Sequence, residues 1–149
     1  MPATTEILLT AAFRTALETM TPRVIEGQAT RRWEWYEGNE NGPVRSDARW
    51  YRFAWHDQGY TPGGWWGPEQ VSTDSHLHVV VDYGSIPEQR VRMVATDDRY
   101  QIRDVCNRLK STVDGLRWFE AIEWGFVNTD HNQARIDHRF LVRYMKARA

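Results

Sequence analysis

The chain predicts an α+β fold: a two-layer sandwich, a mainly antiparallel sheet with two helices packed on one face. Three observations carry this. Ile102, Val105, Cys106, Leu109 and Val113 recur at the spacing of a half-buried helix. Leu9, Phe13, Ala16, Leu17 and Met20 recur in the same way near the start. Ile136, His138, Phe140, Val142 and Tyr144 alternate with Arg135, Asp137, Arg139 and Arg143, the period-two pattern of a strand with one buried face.

Taken in order, Thr4 or Thr5 can cap the first helix, Glu6 suits its positive end, and Pro22 stops it. Residues 31–37 read as a short strand with Trp33 and Trp35 on one side. A polar, turn-rich loop at 38–43 would join it as a hairpin to a strand at 49–57. There Tyr51, Phe53 and Trp55 face one way and Trp50, Arg52 and His56 the other. Residues 58–75 break the pattern with Gly59, Pro62, Gly63, Gly64, Gly67 and Pro68 around Trp65 and Trp66. They are expected to be an irregular contact loop. In the strand at 76–84, Leu77, Val79, Val81 and Tyr83 alternate with His78, Val80 and Asp82, and its doubly apolar middle suits a central place in the sheet.

A short strand is read at 89–95 from Val91 and Met93. The second helix is read at 97–113, with Thr96, Asp97 and Asp98 as its cap and Asp114-Gly115 as its stop. In the strand at 117–127, Trp118, Glu120, Ile122, Trp124 and Phe126 alternate with Arg117, Phe119, Ala121 and Glu123. A polar turn at 128–132 leads into the last strand, 135–145. The sheet face away from the helices would carry Trp50, Trp118 or Phe119 among Arg, Glu and Asp, which suits burial against another copy of the chain.

At 149 residues the chain is read as one domain, residues 1–149, able to bury a real core without staples. A net charge of −1 gives no global field toward nucleic acid or anionic membranes. The single cysteine, Cys106, excludes an internal disulfide framework and lies on an apolar stripe, as a small buried hydrophobe does. No apolar run reaches the roughly 20 residues of a membrane span. The first residues lack the basic flank of a signal peptide, so a cytoplasmic location is expected. Eight tryptophans imply either a broad aromatic core or contact surfaces.

Little of the chemistry is that of an enzyme. His76 and His78 share a strand face with Asp82, but a closed metal site needs a further ligand. Asp74, Ser75 and His76 are adjacent on a strand and cannot form a triad. Glu120 and Glu123 would point to opposite strand faces. Residues 59–67 have no Lys-Ser/Thr behind them, so no phosphate loop is formed. Neither a catalytic residue, a cofactor nor a metal is assigned. Arg135, Arg139 and Arg143 make a basic stripe continued by Lys146 and Arg148; it reads equally as ion pairs or as the DNA-facing wall of a ring.

The run from Asp97 through Arg99, Tyr100, Ile102, Asp104 and Asn107 to Leu109, then Asp114-Gly115-Leu116, a strand, a polar turn and the ending Arg139-Phe140-Leu141-Val142-Arg143-Tyr144, resembles the tail terminator proteins of long-tailed bacteriophages. The likeness covers the last third of the chain and the helix-then-strands layout before it. It implies a ring, typically of six copies, on the last ring of the tail tube. Such a ring ends polymerisation and presents the surface joined by the head. The implied partners are the chain itself, the tail tube protein and head-completion or neck proteins, with DNA passing through and no membrane. The implied location is the head-proximal end of the virion tail, after assembly in the host cytoplasm. Interface candidates are Trp65 and Trp66 on one side and Trp50, Arg135, Asp137 and Arg139 on the other; Arg143, Lys146 and Arg148 are the candidates for the lumen. Three other readings are another head–tail connector or neck protein, a small-molecule or carbohydrate-binding domain using Trp33, Trp35, Trp50 and Trp55 as stacking platforms, and an enzyme with a concealed His76/His78 site.

Overall fold

A computed structural model describes residues 3–23, 32–36, 48–65, 70–84, 86–127 and 134–147; along 57–65 and 70–71 it describes the backbone alone. The elements are α1 (Glu6–Glu18), β1 (Arg32–Trp35), β2 (Ala48–Trp65), β3 (Gln70–Asp82), α2 (Glu88–Arg108) with a 3-10 turn at Leu109–Ser111, β4 (Leu116–Phe126) and β5 (Arg135–Ala147). The strands form one sheet in the order β1-β2-β3-β5-β4. Both helices lie on one face, giving the expected two-layer α+β sandwich. The expected turns at 38–43 and 128–132, together with Trp66 and Arg148, lie outside the described residues.

α1 starts as its sequence dictates. Thr5 is the N-cap in extended backbone, and its Oγ1 accepts the Leu8 N–H at 3.2 Å. Leu9, Phe13 and Leu17 are buried one turn apart. The helix ends at Glu18, before Pro22, because proline also disfavours helical backbone at the residue ahead of it. The Thr19 hydroxyl donates to the Ala16 carbonyl there. Thr5→Ala removes the cap and is expected to cost about 1 kcal/mol in urea unfolding; an unchanged midpoint would show that another group takes over the Leu8 N–H.

β1 does not form the expected hairpin. It pairs parallel with β2, Trp33 opposite Arg49 and Trp35 opposite Tyr51. Alternation fixes which face a tryptophan takes and is blind to strand direction. β2 and β3 are also longer than expected. Residues 58–65 and 70–75, expected as an irregular loop, continue the two strands as a pair. Register shifts between Asp57 and Gly59 and between Tyr60 and Trp65 absorb Pro62, Gly63 and Gly64 as irregularities in the pairing. β3 in turn pairs with β5 along its whole length, from Gln70–Ala147 to Asp82–Arg135, which confirms its central position.

The expected strand at 89–95 is the first half of α2. Val91, Val94, Ala95, Asp98, Ile102, Val105 and Cys106 form one buried stripe, while Met93 is 73% exposed. The Val91–Met93 spacing mimics a strand only because the window is short. Thr96, Asp97 and Asp98 therefore lie inside the helix and do not cap it. Pro87 sits at the start, where its missing N–H costs nothing. Gly115 at φ 86° turns the chain after the 3-10 turn, in the backbone region that favours glycine. Burial raises the Cys106 thiol well above its ordinary range.

β5 keeps its expected inner face, with Ile136, His138, Phe140, Val142 and Tyr144 at most 1% exposed. β4 does not. Bulges at Arg117 and Ile122 change its parity twice, so Leu116, Phe119, Ala121, Trp124 and Phe126 stand opposite Tyr144, Val142, Phe140, His138 and Ile136. Phe119 is buried, not on the outer face, while Trp118 and Ile122 are exposed. Phe13 is central in the core, with ring centroids of Phe119, Trp55 and Phe53 at 5.3, 6.3 and 6.4 Å.

Candidate functional site

The sheet face opposite the helices is the candidate site. Each β5 arginine on it stands directly across from an acid on a neighbouring strand. Arg135 faces Asp82, Arg139 faces Glu123, and Arg143 faces Asp74. The Arg143 guanidinium grips Asp74 through Nε at 2.8 Å and Nη2 at 3.2 Å. Arg139 donates to Glu123 at 2.5 Å and to Asp137 at 3.2 Å. Arg135 donates to Asp82 at 3.0 Å. His78 Nδ1 lies 2.8 Å from Asp137 Oδ2. Donating hydrogen bonds to Asp137 and Glu123 raises Arg139 above its ordinary range, and donating to Asp74 does the same for Arg143.

Arg135, Asp137, Arg139 and Arg143 thus share a face, as their alternation predicts. Trp50 belongs to the same face, in one cross-strand row with Asp82 and Arg135. Its ring lies 6.0 Å from that of Tyr36. Lys146 does not continue this row: it shares parity with Tyr144 and lies exposed on the helix side, lining a hollow with Thr5, Glu6, Ile7 and Tyr144. Only the backbone of Trp65 is described, pairing with Val71 at the far end of the β2–β3 ribbon.

The other motifs resolve differently. His76, His78 and Asp82 share the outer face, but no group among the described residues could hold a metal ion. Ser75 points inward, its hydroxyl donating to Glu6 at 2.9 Å, away from Asp74 and His76. Glu120 and Glu123, expected on opposite faces, come to the same face because Ile122 bulges between them. Glu120 accepts the Trp118 indole N–H at 2.9 Å. Trp33 is buried, and Trp35 and Trp55 pack on the core from the helix side, so they do not share a face with Trp50.

A buried polar cluster went unread in the sequence. Arg49, Asp98, Tyr83 and His138 are each at most 2% exposed beneath the helices. Arg49 pairs with Asp98 and donates to the Arg23 carbonyl at 2.6 Å. The Tyr83 hydroxyl donates to Asp98 at 2.6 Å and lies 3.3 Å from His138 Nε2. Burial pushes Asp98 up to about 6 against the pull of Arg49. Burial, aided by Arg99, holds His138 down to about 3. Burial and the Asp98 charge raise Tyr83 well above its ordinary range. The signals were present: Asp98 interrupts an apolar stripe, and Arg49 shares parity with Tyr51 and Phe53. At this depth the cluster clamps α2 to the sheet and offers no access to a solute.

No helix among the described residues is long and apolar enough to cross a membrane. No protein-family model and no curated protein matches the chain.

Proposed function

We propose that this chain is a structural subunit of a long-tailed bacteriophage virion. Copies of it, typically six, associate into a ring on the head-proximal end of the tail tube. The ring ends tail polymerisation and presents the surface that neck or head-completion proteins join. The observation that carries this reading is the β5 row of the outer sheet face, whose arginine charges are compensated within the chain. Arg135, Arg139 and Arg143 each have a carboxylate in hydrogen-bond reach. Covering the β5 row with protein leaves none of these three arginines unpaired, and an unpaired ion is the main penalty in burial. The same pairing makes it a poor phosphate track, since DNA would have to displace Asp74 from Arg143. DNA passing through the ring would therefore meet a neutralised wall at these positions.

Native mass measurement with end-on electron micrographs of the purified protein tests the assembly. A closed ring is the expected result. A protomer that stays single at every concentration and ignores tail tubes would sink the reading. Purified headless tails separate it from a neck protein, which stays with tailless heads. The sugar-binding alternative is not favoured, because Trp50 is the only one of its four indoles on the outer face.

A further inference from the structure

We propose that Trp118 and Glu120, on the β4 flank of the sheet, are the receptor for Arg52 of a second copy of this chain. This rests on the self-association proposed above and gives it a direction. β4 is an edge strand, and its bulges at Arg117 and Ile122 interrupt the regular backbone row that strand addition needs. Contact there is left to side chains. Trp118 is 46% exposed and Ile122 45%.

The indole is exposed but held. Its N–H donates to Glu120 Oε2 at 2.9 Å, and Lys110 Nζ lies 4.9 Å from the ring centre. A ring already fixed by its edge and covered on one side loses little freedom when the remaining surface is covered, which is what makes an aromatic side chain an interface anchor. The group that suits an indole beside a carboxylate is a guanidinium: its plane stacks on the ring while its N–H fork meets the oxygens.

Arg52 supplies such a group. It is exposed on the same face of β2, and no ion pair, hydrogen bond or ring contact engages it among the described residues. The β5 arginines, by contrast, are already occupied. β3 and β5 separate β2 from β4, so a chain cannot reach its own receptor. Two different patches at opposite flanks of one sheet join copies head to tail, the arrangement that closes into rings.

A charge swap followed by sedimentation velocity over a concentration series tests the contact. Arg52→Glu and Glu120→Arg should each move assembly to at least about tenfold higher concentration, and the double variant should regain most of the loss. Both sites are exposed, so unchanged thermal midpoints will show that folding is intact. Singles that assemble like the parent, or a double that regains nothing, overturn the pairing while self-association stands. A parent protein that never assembles overturns both.

Discussion

Arg49→Met is expected to destabilise the fold by about 3–5 kcal/mol, the cost of removing one partner of a buried ion pair. The guanidinium pairs with Asp98, donates to the Arg23 carbonyl, and lies 5.0 Å from the Tyr83 ring centre and 5.6 Å from that of Trp33. Methionine can occupy much of the volume but leaves Asp98 with only the Tyr83 hydroxyl, its Oδ1 already without a partner. A domain of this size is stable by roughly 5–15 kcal/mol, so the loss is a large share of the whole. Urea unfolding should show the midpoint falling with the slope unchanged. The companion variant Arg49→Met/Asp98→Leu removes the stranded charge and should recover most of the loss. If the double variant is no better than the single, the damage comes from lost packing around Trp33 and not from an unpaired carboxylate.

How much of this was legible in the sequence follows from what each pattern encodes. α1, the middle of β3 and β5 as far as Tyr144 were legible because a single apolar period runs unbroken through each. Residues 89–95 were misread because Val91 and Met93 fit both periods over so short a window; extending it to Val94, Ala95 and Asp98 selects the helix. Strand direction at β1 and the bulges in β4 leave no trace in alternation, since both are set by tertiary pairing. The bulge at Ile122 is what brings Glu123 across from Arg139. Of the candidate site, the β5 row was legible as one face. Its carboxylate partners were not, because Asp74 and Asp82 lie on another strand and their register is a property of the folded sheet. Asp98 was hidden by chemistry: beside Thr96 and Asp97 it looks like a cap, and only Arg49, distant in sequence, makes its burial tolerable.

The same cluster should make folding move a proton from His138 to Asp98. His138 is held down to about 3 from its ordinary 6.5. Its contribution to stability is therefore full above pH 6.5 and is lost as pH falls toward 3. Asp98 is raised from 3.8 to about 6, so its contribution is full below pH 3.8 and is lost as pH rises toward 6. Between roughly pH 4 and 6 the unfolded chain carries the proton on His138 and the folded chain carries it on Asp98. The proton count is equal, and the two slopes cancel across that window. Arg49, Arg99, Asp97 and Asp137 face the pair from β2, α2 and β5. Asp98→Asn should uncover the histidine, with stability falling by about 1.4 kcal/mol for each pH unit below 6.5, relative to the parent. His138→Gln should uncover the carboxyl, with stability falling at a similar rate as pH rises from 4 to 6. Urea unfolding at half-unit steps measures both slopes. Opposite signs in the two variants are the mark of the proton relocation; parallel curves for parent and variants would mean that the two groups titrate independently of folding.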